Sequence, residues 1–269
     1  MSGAIVKLAD RREAKNELAE LFKRAETTNL IHYSCESFYD RTDGSSPRIT
    51  SIAVRNLNNA QTVSFSIHQI AEEQQVPSSE IEANYDDLER KMLDGFFEFV
   101  HRRDTYHWIH WNMRDINYGF PAINHRYKVL GGIPIQIPEG NLHDLARLLI
   151  AIYGAKYADH PRLESVVSMN HMTNMDFLTG KQEALAFENK EYVKLHQSTL
   201  RKVDILAAIA QRENSSDLKT KARRRDIYGL SVIAWVDVIY DHWVGKLFAL
   251  IGVVATLIGT ILTIYTLFR

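Results

Sequence analysis

The chain ends in LFALIGVVATLIGTILTIYTLF (residues 247–268), which carries no charged side chain. As a helix with a rise of about 1.5 Å per residue it would be about 33 Å long, and the hydrocarbon core of a bilayer is about 30 Å thick. The alternative is a buried core helix, but such helices are usually shorter and rarely apolar on every face. Lys246 and Arg269 flank the run. We therefore expect a C-terminal transmembrane helix over residues 246–269.

Charge on the two sides of this segment is uneven. Only Arg269 follows it, whereas five basic residues lie upstream: Lys219, Lys221, Arg223, Arg224 and Arg225. Because positive charge stays on the cytoplasmic side, the pattern predicts a single-pass, tail-anchored protein of the inner (cell) membrane with its N-terminal part in the cytoplasm. The basic run would contact lipid headgroups of the bilayer, or would be a solvated linker that only determines topology.

Small residues recur along one face of the expected membrane helix, at spacings of four, three and four: Gly252, Thr256, Gly259 and Thr263. Small residues allow helices to approach closely in lipid, and threonine can form hydrogen bonds across the contact. The pattern predicts a homo-oligomer, and several copies together would form a conducting assembly. The alternative is that small residues are simply common in membrane helices.

Composition places few limits on the remaining residues. The chain has 32 Lys+Arg against 33 Asp+Glu, so no overall basic field indicates nucleic-acid binding. Cys35 is the only cysteine, which excludes a disulfide framework or a cysteine-based zinc site and fits a reducing cytosol. The N-terminal residues are charged and amphipathic, without the apolar core of a secretory signal.

Hydrophobic periodicity predicts helices and strands in a mixed order. Strands are expected at residues 30–35, 48–57, 62–68 and 106–111, with an antiparallel hairpin through residues 58–61. Helices are expected at residues 10–24, 80–103, 123–130, 142–157, 161–169 and 183–212, the last with a break. This order predicts an α/β fold with a mixed sheet flanked by helices. The expected units are an N-terminal helix (1–27), an α/β domain (28–212), a basic linker with an amphipathic helix (213–245) and the membrane helix (246–269).

The densest polar cluster is YHWIHWNMRDINYGFPAINHR (residues 106–126), in which an apolar strand leads to Asn112, Asp115 and a helix bearing Arg126. This pattern resembles the second motif of the 3′–5′ exonucleases of the ribonuclease H-like superfamily. The strand that ends at Glu36 occupies the place of their first motif, Asp-x-Glu. Residues 194–211 resemble their closing helix, with Asp204 as its metal-binding acid. The resemblance covers about residues 28–212 and implies a ribonuclease H-like fold.

The same resemblance implies that Glu36, Asp115 and Asp204 are catalytic and bind Mg²⁺ or Mn²⁺, since two-metal hydrolysis requires several carboxylate ligands. Two positions depart from the family. Ser34 stands in place of the first Asp, and Thr199 and Leu200 stand where a Tyr or His would orient the attacking water. The alternative roles are a turn residue for Asp115, a solvated strand end for Glu36 and a surface position for Asp204.

Other reactive side chains have structural interpretations. His107 and His110 differ by three and would face opposite sides of a strand, so they cannot share a metal ion. His125, His143 and His171 have no ligand spacing with one another. Cys35 lies in an apolar strand, so we expect a buried, inert thiol.

These observations support three functional hypotheses. The first is a membrane-anchored effector of a bacterial, anti-phage type of defence system. In it a cytoplasmic pseudo-exonuclease domain senses a nucleic acid, a nucleotide signal or a sensor protein, and then drives oligomerisation and membrane disruption without a cofactor. The second is a membrane-tethered, metal-dependent 3′–5′ exonuclease. The third is a non-catalytic membrane adaptor.

Overall fold

The computed structural model describes residues 3–36, 46–223 and 227. The expected membrane helix, its stripe of glycine and threonine residues, and Arg224 and Arg225 lie outside the described residues. Among the residues that are described, no helix has the length and hydropathy needed to cross a bilayer.

Five strands and eight α-helices make up the described part of the chain. The strands are β1 (Thr28–Cys35), β2 (Ile49–Asn56), β3 (Thr62–Ser66), β4 (His107–His110) and β5 (Leu142–Asp144). The helices are α1 (Gly3–Lys23), α2 (Ile67–Glu73), α3 (Tyr85–His101), α4 (Phe120–Val129), α5 (Leu145–Tyr153), α6 (Arg162–Met169), α7 (Gly180–Glu188) and α8 (Tyr192–Asn214). Short 3-10 helices occur at Ala25–Thr27, Ser78–Glu80 and Glu139–Asn141.

The strands form one mixed sheet in the order β3-β2-β1-β4-β5. The first three pair in antiparallel fashion, whereas β4 runs parallel to β1 and β5 parallel to β4. The predicted hairpin is confirmed, and its turn is held by Asn56, whose Oδ1 accepts the backbone N–H groups of Asn58 and Asn59 at 3.1 and 3.2 Å. The predicted α/β class with a mixed sheet is also confirmed.

Alternate residues of the central strands serve two hydrophobic cores. Ile31 and Trp108 face a core that includes α3 and α4, whereas their neighbours Leu30 and Ile109 face a second core that includes α1, α5 and α8. All four side chains are fully buried. The period of two in a strand directs successive side chains to opposite faces. The result is a sheet covered by helices on both sides.

The prediction of one helix over residues 142–157 was wrong at its start. Residues Leu142–Asp144 form β5 beside β4, and the helix begins only at Leu145. The boundary is set by Asp144, whose side chain accepts the Ala146 N–H at 3.0 Å and so caps the helix. A strand of three residues is too short to show a period of two, and the apolar run conceals it.

Candidate functional site

A pocket of about 1000 Å³ opens where β1 and β4 end. In α/β sheets the carboxyl ends of parallel strands are the usual place for a ligand. The polar and aromatic side chains that line the pocket come from β1, the segment after β4, and helices α6, α7 and α8. They include His32, Ser34, Glu36, Trp111, Asn112, Asp115, Tyr118, Glu164, Lys181, Glu183 and Lys202.

The segment after β4 is bound tightly to the end of β1. Tyr118 stacks on Tyr33 with ring centroids 4.6 Å apart, and its hydroxyl donates to the Tyr33 carbonyl oxygen at 3.2 Å. The Gly119 N–H donates to the Tyr33 hydroxyl oxygen at 2.8 Å. Gly119 has φ +149°, and a Cβ there would lie 2.3 Å from the Met113 carbonyl carbon. Only glycine fits at this position, so the wall of the pocket has a defined shape.

Asp115 lies at the exposed edge of this wall. Its Oδ1 accepts the backbone N–H groups of Asn117 and Tyr118, each at 2.8 Å. This is the geometry of an Asx turn, in which the carboxylate organises its own loop. Asp115 therefore acts as the turn residue considered above, while it also lines the pocket.

The structure brings together two of the three predicted carboxylates. Glu36 follows β1 and lines the same pocket as Asp115, and its Oε2 accepts the Arg48 N–H at 3.4 Å. Asp204 does not line this pocket; it pairs with Arg55 of β2, with an N–O distance of 2.8 Å. Asp204 therefore lies at a surface position on α8, which was the alternative to its role as a metal ligand.

This arrangement does not fit a two-metal centre. Ser34 offers a neutral hydroxyl in place of a carboxylate, and Asp204 points to Arg55 rather than to the pocket. Within the described ranges, no group of three or more His, Cys, Asp or Glu side chains is arranged to hold a metal ion. Thr199, which replaces the water-orienting residue, is buried and joins α8 to β2 by a 2.7 Å hydrogen bond with Ser51.

A buried ion pair lies at the inner wall of the pocket, and sequence reasoning missed it. Lys202 Nζ of α8 is 2.7 Å from Glu183 Oε2 of α7, and the two side chains are only 8% and 14% exposed. The Ser198 hydroxyl donates to the other Glu183 oxygen at 2.9 Å. The available signal was a lysine within the apolar stripe of α8, between the buried residues Ser198 and Leu206.

Two buried polar atoms of the pocket lining lack hydrogen-bond partners within the described ranges. His32 is neutral, because burial and the nearby Lys202 charge hold its pKa well below the usual value. His32 Nδ1 lies 3.4 Å from the Tyr118 hydroxyl oxygen. Among the described residues, neither His32 Nε2 nor the Ser34 hydroxyl has a hydrogen-bond partner. Buried polar atoms are normally hydrogen-bonded, so both groups are suited to contact a ligand.

Cys35 lines the pocket, and its thiol is poorly suited to act as a nucleophile. Burial raises the pKa of its thiol to about 12, and the Glu183 and Glu36 carboxylates contribute in the same direction. The thiol is therefore protonated at neutral pH. By its exposed surface the whole residue is half-buried.

Two residues singled out in the sequence have structural partners elsewhere. Arg126 is buried, and its guanidinium donates to Glu89 Oε2 from Nε at 3.0 Å and from Nη2 at 2.6 Å. His143 contacts His107 at 3.0 Å between ring nitrogens, and its Nδ1 is 2.6 Å from Glu17 Oε1. The pairing of His143 and His107 was missed because it depends on the parallel alignment of β5 beside β4.

Comparison of the chain with protein-family models, with curated proteins and with solved structures gives no match. The class that the structure defines is an α/β domain with a five-stranded mixed sheet. Its distinguishing feature is a pocket of mixed polar and apolar lining at the carboxyl ends of β1 and β4.

Proposed function

We propose that this chain is a membrane-anchored effector whose N-terminal domain is a non-catalytic, ribonuclease H-like sensor. Its sheet has the order β3-β2-β1-β4-β5, with β2 as the one strand of opposite direction. Ribonuclease H-like domains share this arrangement, which supports the resemblance noted in the sequence. The signal would bind at the pocket beside β1 and β4.

The observation that carries the proposal is the chemistry of this pocket. The resemblance to the 3′–5′ exonucleases implies metal-binding carboxylates at positions 34 and 204. Position 34 is a serine, and the Asp204 carboxylate is paired with Arg55 outside the pocket. The pocket instead contains the Lys202–Glu183 ion pair, which places a cation where a metal-binding site needs anionic ligands. A preformed pocket whose lining includes the buried polar groups His32 and Ser34 favours binding of a ligand.

The membrane part of the proposal rests mostly on residues outside the described ranges. The apolar run over residues 247–268 and the basic residues before it support an inner-membrane anchor with the domain in the cytoplasm. The face formed by Gly252, Thr256, Gly259 and Thr263 supports self-association. The link to bacterial anti-phage defence is an analogy of layout, in which a cytoplasmic sensor controls an oligomer that disrupts the membrane.

Reconstitution of the full chain in dye-loaded liposomes tests this proposal. We expect dye release that is lost on deletion of residues 247–269, and strongly reduced by Gly252→Leu/Gly259→Leu. A matched variant on the opposite face, Val254→Leu/Ile261→Leu, should retain release. Recovery of the full chain as a monodisperse, lipid-free protein in a detergent-free supernatant would rule out the anchor.

A second candidate function is a metal-dependent exonuclease, which the shared pocket of Glu36 and Asp115 favours. The test is degradation of single-stranded DNA or RNA by the full chain with Mg²⁺ or Mn²⁺. Asp115→Asn should abolish the cleavage, and Asp204→Asn should leave it unchanged. No cleavage by the wild type with either metal excludes this function. A membrane-bound chain that neither cleaves nor permeabilises would be an adaptor.

A further inference from the structure

We infer that the domain binds a nucleobase, in a free nucleoside or a nucleotide, at a second cleft where β1 and β4 begin. This cleft has a volume of about 320 Å³. It lies between the β2–β3 hairpin and the C-terminal end of α3, and we call it the hairpin cleft. Its lining includes Glu26, Asn29, Asn56, Asn58, Asn59, Gln61, Phe99, Arg103 and Tyr106. The inference goes beyond the proposed function, since it concerns neither the membrane segment nor the pocket at the other end of β1.

Arg103 supplies a flat surface in the hairpin cleft. Its guanidinium carbon lies 3.7 Å from the centroid of the Phe99 ring and 5.7 Å from that of the Tyr106 ring. Its Nη1 donates to the Phe99 carbonyl oxygen at 3.3 Å, which holds the group over the ring. Within the described ranges no carboxylate pairs with this guanidinium. Proteins use arginine planes and aromatic rings to stack the bases of nucleic acids, so Arg103 is suited to hold a base.

The carboxamide of Asn29 offers a buried donor whose orientation is set by the backbone. Asn56 Oδ1 accepts the N–H groups of Asn58 and Asn59 at 3.1 and 3.2 Å, so the other end of the Asn56 amide is its donor. That Nδ2 lies 3.4 Å from Asn29 Oδ1. Asn29 is 2% exposed, and its own Nδ2 has no partner among the described residues. Buried polar atoms are normally hydrogen-bonded, so this donor is suited to an acceptor of a ligand.

The other polar groups of the hairpin cleft match the edge of a base. Asn58, Asn59 and Gln61 contribute carboxamides, and a carboxamide carries both a donor and an acceptor, as the edges of bases do. Among the described residues of the lining, formal charge is balanced between Glu26 and Arg103. This balance favours a neutral ring over a free ion. The volume is at the lower end of the range for small-ligand sites, which suits one base.

Titration calorimetry on the full chain in nanodiscs of uncharged lipid tests the inference. The probes are the four ribonucleosides, their 5′-monophosphates, ribose and inorganic phosphate. We expect at least one nucleoside to bind, whereas ribose and phosphate should not. A monophosphate that binds like its nucleoside identifies the base as the recognised group, and one that binds more tightly identifies a nucleotide as the ligand. Absence of nucleoside binding at millimolar concentration overturns the inference.

Variants of two neighbouring arginines assign the binding to the hairpin cleft. Arg103→Met removes the guanidinium and should weaken nucleoside binding about tenfold. Arg103→Lys keeps the charge but not the plane, so it should weaken binding as much. The matched control is Arg102→Met, which removes the exposed neighbour that pairs with Glu98 and should bind like the wild type. Wild-type affinity in Arg103→Lys would overturn the inference, because charge and not stacking would then hold the ligand.

Asn29→Leu tests the buried donor at nearly constant side-chain volume. Asn56 Nδ2 retains the carbonyl oxygens of Glu26 and Thr28, at 3.0 and 3.3 Å, so the hairpin turn should persist in this variant. We expect nucleoside binding about fivefold weaker, with little change in melting temperature. Affinity equal to that of the wild type contradicts a hydrogen bond from Asn29 to the ligand.

Saturation-transfer NMR on the wild-type chain gives a signature that a merely structural role of Arg103 would not produce. A stacked base should receive more saturation from the protein than the ribose of the same nucleoside, and the reverse order contradicts stacking. These outcomes are independent of the liposome result. Nucleoside binding that is lost in both Arg103 variants supports the inference even if the full chain releases no dye and the effector proposal fails.

Discussion

The buried ion pair between Arg126 and Glu89 gives the sharpest test of how the sheet and helices are held together. Glu89 is completely buried and Arg126 is 8% exposed. The Arg126 guanidinium donates twice to Glu89 Oε2, at 3.0 and 2.6 Å, and once to Asp86 Oδ1 at 2.5 Å. The other Glu89 oxygen accepts the Ile49 N–H at 2.7 Å. The pair thus links α4, α3 and the start of β2.

Arg126→Met should leave the Glu89 carboxylate buried and unpaired, except for the Ile49 N–H. Breaking a buried pair from one side costs about 3–5 kcal/mol. For a domain of this size that corresponds to a loss of roughly 6–20 °C in melting temperature. The double variant Arg126→Met/Glu89→Met removes both charges. It should recover most of this loss of melting temperature, because no buried unpaired charge remains.

The loss of stability in Arg126→Met should depend on pH, because it leaves the Glu89 carboxyl group without its partner. Burial already raises the pKa of Glu89, although the hydrogen bond and charge of Arg126 oppose the increase. Without Arg126 the folded-state pKa rises further above the unfolded value. Stability from a group with a raised pKa is present at low pH and is lost as pH rises through the folded-state pKa. The deficit of Arg126→Met should therefore be larger at pH 7.5 than at pH 5.0.

The assay is thermal unfolding of the full chain in mild detergent, followed by near-ultraviolet circular dichroism, with each variant compared with the wild type at the same pH. The matched control is Arg102→Met, which breaks an ion pair with Glu98 whose side chains are 66% and 64% exposed. Exposed pairs contribute little, so this variant should melt within about 2 °C of the wild type. A similarly small shift for Arg126→Met, or a deficit independent of pH, would refute the reasoning.

Three further predictions concern the site and its support. Gly119→Ala should lower the melting temperature by at least about 4 °C, because its Cβ would collide with the Met113 backbone; Gly180→Ala, with open space around it, is the control and should not. Cys35 should react with iodoacetamide at pH 8 roughly a thousandfold more slowly than a free cysteine, because its pKa is about 12; intact-mass labelling at the rate of the urea-unfolded chain would contradict this. Burial lowers the pKa of His110 to about 4, so its contribution to stability is present above pH 6.5 and is lost as pH falls towards 4; a melting temperature that stays constant over that interval would be the contrary result.

Local patterns were sufficient for part of the fold. The hairpin of β2 and β3 was predicted because alternating strands flank an asparagine-rich turn, and Asn56 holds that turn through its own neighbours. The strand before Asn112 and the amphipathic helices α3 and α8 were predicted from the spacing of their apolar residues. The hydrophobic periods of 2 residues in a strand and 3.6 residues in a helix are visible within a short stretch of sequence.

Local patterns failed where an element was short or where its partner was distant. The strand β5 has three residues and was taken for the start of a helix, because only its pairing with β4 defines it. The order of the motifs in the sequence predicted that Asp204 lies beside Glu36 and Asp115. In the structure, α8 instead packs so that Asp204 forms an ion pair with Arg55 of β2. The site residue that α8 does contribute is Lys202, which no motif indicated.

The amino-acid sequence by itself determined the α/β class, the mixed order of its elements and the hairpin, because these depend on contacts between near neighbours in the chain. Only the tertiary structure decided which charged groups meet, at the pocket and elsewhere in the domain. The partners Lys202 and Glu183, and His143 and Glu17, lie on different elements and come together through strand order, register and helix placement. Such contacts depend on how all the helices and strands pack together, and the local hydrophobic periodicity of the sequence does not specify them.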